Sequence, residues 1–83
     1  MQKLINVFNH LNISDIEKFL NFIKNKAYDF YILIDFKKLW KLFNIIGISY
    51  YKSFKKSLKI KYTNDIKRFN YLILSFLSEN DYI

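Results

Sequence analysis

Three stretches of the chain repeat apolar residues at i, i+3, i+4 and i+7, the spacing that lines one face of an α-helix. Leu4, Val7, Phe8 and Leu11 make the first, and Ile16, Phe19, Leu20 and Ile23 the second. Leu39, Leu42, Phe43 and Ile46 make the third. Ser14, with Glu17 three residues on, has the form of a capping box that opens the second helix. Asp35 is placed to cap the third, and Gly47 to end it. Between the second and third helices, Ala27 to Ile34 is aromatic and β-branched and predicts a strand.

Beyond Gly47 the period shortens to two. Leu58, Ile60 and Tyr62 alternate with Lys59 and Lys61, as in a strand with one buried and one cationic face. Ile48 to Phe54 predicts a less regular strand, with Lys55, Lys56 and Ser57 as the hairpin turn between the two. The last segment fits both periods: Ile66, Phe69, Ile73 and Phe76 at helical spacing, Leu72, Leu74 and Phe76 at strand spacing. The pattern thus predicts one small α+β domain over residues 1–83, a short sheet packed on helices. Its order is α, α, β, α, β, β, then an ambiguous tail over 69–83.

Charge changes this picture by dividing the chain. Residues 1–36 balance Lys3, Lys18, Lys24 and Lys26 against Asp15, Glu17, Asp29 and Asp35. Residues 37–68 carry ten cations, Lys37, Lys38, Lys41, Lys52, Lys55, Lys56, Lys59, Lys61, Lys67 and Arg68, against Asp65 alone. A block this basic attracts a polyanion, through counterion release where the partner is nucleic acid. All but one of the cations are lysine, which suits phosphate contact more than bidentate reading of bases. Tyr50, Tyr51 and Tyr62 lie among them and add hydrogen-bonding and stacking capacity. A β-ribbon with one cationic face, flanked by the lysines of the third helix, is the expected RNA-facing surface.

Composition narrows the chemistry. The 83 residues are 52% hydrophobic and 20% aromatic, which favours a packed core over disorder. Cysteine is absent, which removes disulfides, thiolate metal sites and a cysteine nucleophile. A single histidine and a single glycine remove histidine-rich metal sites and glycine-rich phosphate loops. No enzymatic activity, cofactor or small-molecule substrate is expected. The longest apolar run, Phe30 to Ile34, is far short of the roughly 20 residues that span a bilayer, so no transmembrane segment is expected. The first eleven residues carry one lysine and no arginine and do not resemble a signal peptide or import presequence. Phe, Ile, Lys, Asn and Tyr supply 51 of the 83 residues, a bias that points to a very AT-rich genome.

Individual residues offer little for catalysis. His10 has no cysteine, second histidine or nearby acid as partner and reads as a helix-surface residue. Asp29 and Asp35 flank the predicted strand, a turn residue and a helix cap rather than an acid–base pair. Trp40 lies one position past the apolar stripe and reads as the edge of the core. A helix-turn-helix is also weighed, because Gly47-Ile48-Ser49 resembles that motif's turn. Against it, Phe43 stands where the first helix of the motif has a small residue. The would-be recognition helix, Ser49 to Leu58, also shows no consistent apolar stripe.

With this order of elements, the sequence resembles the N-terminal domain of the small-subunit ribosomal protein eight family in a divergent organellar form. Leu4, Asn6, His10 and Leu11 are similar to the Leu-x-Asn-x-x-x-His-Ile of mitochondrial members. Ile32 to Leu39 sits where the family has a strand and then Pro-x-Ser-Lys-Leu entering a helix. Gly47 to Phe54 resembles the family's Gly-aromatic-Ile strand start, and Ile60-Lys61-Tyr62 its Leu-Lys-Tyr strand end. Ser75 and Tyr82 are spaced like the ends of its Ser-Lys-Pro-Gly-x-Arg-x-Tyr. Residues 14–26 would be an insertion, and the family's second domain has no counterpart here. A shorter likeness, Ile66 to Phe69 with Leu72 and Ser75, resembles a core segment of small-subunit ribosomal protein ten. These resemblances imply a structural constituent of a mitochondrial small ribosomal subunit, with ribosomal RNA and neighbouring subunit proteins as partners. The alternatives are a small viral or plasmid regulator or anti-host protein in a host cytoplasm, binding DNA or a protein, and a helical immunity-type protein binding another protein or a membrane.

Overall fold

The computed structural model describes residues 1–30, 33–59 and 64–83, and these residues form five helices. They are α1 (Gln2–Asn9), α2 (Ile13–Phe30), α3 (Phe36–Phe43), α4 (Tyr50–Ser57) and α5 (Asn64–Glu79). The first three stand where the apolar repeats place them. Phe8 of α1, the whole α2 stripe of Ile16, Phe19, Leu20 and Ile23, and Leu39 of α3 are buried. One start is corrected: α2 begins at Ile13, and Asn12 rather than Ser14 supplies the cap. The Asn12 side-chain oxygen accepts the Asp15 N–H at 2.9 Å and the Ser14 hydroxyl at 2.6 Å.

The α+β expectation is overturned, since the described residues contain no sheet. Their only β pairing is a single antiparallel bridge between Ile34 and Leu58. Over 27–30 the α2 helix continues to Phe30, with no glycine or proline in residues 13–30 to stop it. In place of the strand expected over 48–54, the chain is helical from Tyr50: Ser49, in extended conformation, accepts the Lys52 N–H at 3.3 Å and caps α4. Lys55, Lys56 and Ser57 form the last turn of that helix and not a hairpin. The alternating segment from Leu58 keeps only the bridge, and its continuation through Tyr62 lies outside the described residues. The ambiguous tail is α5, whose Phe69, Leu72, Ile73, Phe76 and Leu77 are buried at helical spacing.

The C-terminus of α5 closes in a Schellman arrangement. Asp81 takes the left-handed conformation at φ 59°, Tyr82 N–H reaches Leu77 O at 2.9 Å, and Asp81 N–H reaches Ser78 O at 3.3 Å. The accompanying hydrophobic contact is the Tyr82 ring stacked on Phe76, with centroids 6.3 Å apart.

All five helices feed one core, and Phe19 is its hub. Its ring meets Phe8 at 4.8 Å, Phe76 at 5.1 Å, Phe54 at 5.2 Å and Phe69 at 6.1 Å, all near edge-to-face. Such pairs add about 0.5–1.5 kcal/mol each beyond area burial. The Cα radius of gyration, 11.9 Å, is that of a close-packed chain of this length, about 12 Å.

Candidate nucleic-acid interface

The basic block is organised by a closed helical hairpin. Where the chain enters α3 and leaves α4, its two strands are stitched together. Asp35 N–H donates to Ser57 O at 2.8 Å and Lys59 N–H to Leu33 O at 2.9 Å, either side of the Ile34–Leu58 bridge. Asp35 also caps α3, accepting the Lys38 N–H at 3.1 Å. Inside the hairpin, Phe43 meets Phe54 at 5.6 Å and Tyr50 at 5.7 Å. Two side-chain contacts then fix α4 to the rest of the fold. Tyr51 N–H donates to the Asn9 side chain at the end of α1 at 2.9 Å, and the Tyr51 hydroxyl to Asn70 of α5 at 2.8 Å.

This anchoring decides which way α4 faces. Ser53, Phe54, Ser57 and Leu58 are buried. Both serine hydroxyls are satisfied by carbonyls one turn back, Ser49 O at 3.0 Å and Ser53 O at 2.8 Å. Lys52, Lys55, Lys56 and Lys59 are all exposed, at i, i+3, i+4 and i+7. Of the lysines expected along a β-ribbon and its turn, Lys52, Lys55 and Lys56 therefore lie on one face of α4, and Lys59 follows just past its end in the bridged segment. Lys37, Lys38 and Lys41 are exposed on α3. Over residues 36–59 the sequence holds these seven lysines and no acid, and none of the seven is ion-paired among the described residues.

The remaining candidates do not join this surface as a set. Lys61 lies outside the described residues. Lys67 is exposed on α5, and Arg68 of the same helix is half-buried and engaged within the fold. Trp40, expected at the core's edge, is 50% exposed, its ring edge-on to Phe43 at 5.6 Å. The third apolar repeat ends early for the same reason: α3 stops at Phe43, and Ile46 is fully exposed in the connection.

His10 is exposed at the end of α1, its Nδ1 2.6 Å from Asn6 O. It borders an open depression of about 550 Å³ with Asn12, Asp15 and Tyr82. There the Tyr82 phenol faces the Asp15 carboxylate. Hydrogen bonding to that carboxylate, then desolvation and its negative charge, hold the phenol pKa above the usual 10.0. Among the described residues no three His, Asp or Glu side chains gather in a metal-binding group, and no helix is long and apolar enough to cross a membrane. Comparison with protein families, curated proteins and solved structures finds no match.

Sequence reasoning named every lysine of the α4 stripe but placed them on the wrong element. The signal that identifies the helix is the lysine spacing itself. Positions 52, 55 and 56 fall at helical spacing, opposite buried Ser53 and Ser57, which do not register as apolar.

Proposed function

We propose that the chain is a non-catalytic nucleic-acid-binding domain that lays the lysine face of α4 along the phosphates of a duplex. The observation that carries this reading is the row of three exposed, unpaired lysines on α4, Lys52, Lys55 and Lys56, with Lys59 exposed just past its end, inside a segment with no acid. A helix of this width fits the major groove of B-form DNA, and two short helices joined by a turn are a common way to present one. The connection here, residues 44–49, is longer than the roughly three or four residues usual in such a motif. Lysine without arginine on α3 and α4 favours docking by charge and shape, with weak sequence preference.

A second reading, a constituent of a mitochondrial small ribosomal subunit, draws on the same charge block and on the AT-biased composition. It no longer draws on a β-ribbon, nor on the sheet that the family resemblance implied. The absence of acid from 36–59 weighs against a third class, a helical protein that binds another protein, unless that partner is itself strongly acidic.

The deciding experiment titrates the protein against a short labelled DNA duplex, the matching RNA duplex and single strands, by fluorescence anisotropy over a range of salt. DNA-duplex binding that weakens steeply with salt is expected. Binding to neither duplex at low salt would refute the proposal. Preference for RNA, together with co-sedimentation with ribosomes in low-salt gradients, would establish the second reading in its place.

A further inference from the structure

The end of α3 and the connection to α4 carry an apolar tip that no part of the fold covers. Trp40 and Ile45 are each 50% exposed and Ile46 is 101% exposed. The tip is held in shape rather than dangling. Asn44 donates its side-chain amide to Trp40 O at 3.0 Å, Ile45 N–H reaches Leu42 O at 3.1 Å, and Gly47 at φ +91° turns the chain back toward α4. Lys37, Lys38 and Lys41 stand exposed on the same short helix, with no acid within residues 36–59 to neutralise them.

We propose that this tip is a docking point for an anionic membrane surface, with Ile45, Ile46 and Trp40 entering the headgroup boundary and the α3 lysines meeting acidic lipids. Charge selects this occupant. A second copy of the chain would bring two sets of lysines together without a compensating acid. Stacked bases would accommodate Trp40, but aliphatic Ile45 and Ile46 have no flat face to offer them. Hydrocarbon takes all three, and tryptophan with lysine is the usual pairing at a lipid–water boundary. Lysines near an anionic leaflet are worth roughly fivefold each in binding. The mode is peripheral, since no described helix can span a bilayer. The inference uses α3 and its connection and leaves the α4 stripe aside, so it stands or falls separately from the nucleic-acid proposal.

Trp40 is the only tryptophan in the chain and so is its own reporter. Added phosphatidylserine-containing vesicles should shift its emission to the blue, while phosphatidylcholine vesicles alone should not. Ile46→Asp should lower partitioning roughly tenfold or more, the scale expected for one large aliphatic side chain. Its circular dichroism and melting should stay unchanged, because Ile46 touches no core. Lys37→Gln with Lys41→Gln, apolar tip intact, should lower binding to anionic vesicles roughly twentyfold. No blue shift on anionic vesicles, equal binding to neutral ones, or full retention of binding by I46D would each overturn the proposal. Quenching of Trp40 by single-stranded nucleic acid without a vesicle response would assign the tip to base stacking instead.

Discussion

Removing charge from α4 should cost more nucleic-acid affinity than removing equal charge elsewhere, and the structure supplies a matched control. Lys52→Gln with Lys55→Gln takes two cations from the exposed stripe. Lys24→Gln with Lys26→Gln takes two from α2, where their ammonium groups lie over Phe36 at 5.5 Å and Phe22 at 5.9 Å. Both pairs lower net charge from +7 to +5. Each phosphate contact contributes about 0.9 to the slope of log K against log salt on B-form DNA. The three α4 lysines together with Lys59 can therefore supply a slope of about 3.6. The α4 double variant should reduce the measured slope by about 1.8, and the α2 variant by close to zero. The assay is anisotropy of a labelled duplex at several salt concentrations, with thermal melts to confirm that both variants fold. Equal slope changes in the two variants would mean that overall charge, and not the α4 face, drives binding, and the proposed interface would fail.

Other consequences concern the fold. Phe19→Ala should cost about 3–5 kcal/mol, since the ring is fully buried and meets five other phenylalanine rings. Against a total of about 4–12 kcal/mol for a chain this size, that leaves little folded protein in a urea titration. A loss below about 1 kcal/mol would show that Phe19 is not the hub. Gly47→Ala should lower stability by about 1 kcal/mol through backbone strain alone, because φ is +91° while no atom lies within 4 Å of the added methyl. An unchanged melting temperature would contradict this. The Tyr82 phenol has its pKa raised in the folded protein, chiefly by its hydrogen bond to Asp15. Its contribution is thus whole below the ordinary value of 10.0 and is lost as pH rises from there through the folded value. Tyr82→Phe should flatten that part of the stability profile relative to the parent chain. Parallel profiles above pH 10.0 would disprove the linkage.

How much of this was legible in the sequence depends on what each position buries. α1, α2 and the first two turns of α3 were readable because their inner faces are Leu, Ile, Val and Phe at unbroken helical spacing. α4 was hidden because two of its inner positions are Ser53 and Ser57. These hydroxyls bond to carbonyls one turn back, so they can be buried without reading as apolar. With that stripe interrupted, the short alternation from Leu58 to Tyr62 supplied a stronger local signal, and the strand reading was carried back through the helix. Among the described residues of that alternation, Leu58 is bridged to Ile34. The cationic residues themselves were legible because charge asymmetry does not depend on which element carries it. Their common face was not, since it follows from the period, and the exposure of Trp40 and Ile46 follows from where α3 happens to stop.

Whether the α4 face is more than a by-product of AT-biased coding can be argued within the molecule. The bias acts on every helix alike, and any helix turns its polar residues outward. On α2 the exposed polar positions Ser14, Glu17, Lys18, Asn21, Lys24, Asn25 and Lys26 mix hydroxyl, acid, amide and base, as biased but unselected solvation predicts. On α4 every exposed position is lysine. That uniformity has a cost, because Lys52 faces both Lys55 and Lys56 one turn on, giving two like-charge pairs. At about 0.2–0.5 kcal/mol each they oppose the helix by about 0.4–1 kcal/mol. Packing of Phe54 and the Ser49 cap offset the repulsion without removing it. A single acid or asparagine among the three would relieve it, and the codon bias that enriches asparagine elsewhere in the chain makes that change easy. A repelling face kept free of such relief is what a polyanionic partner would require, because the partner supplies the missing counter-charge.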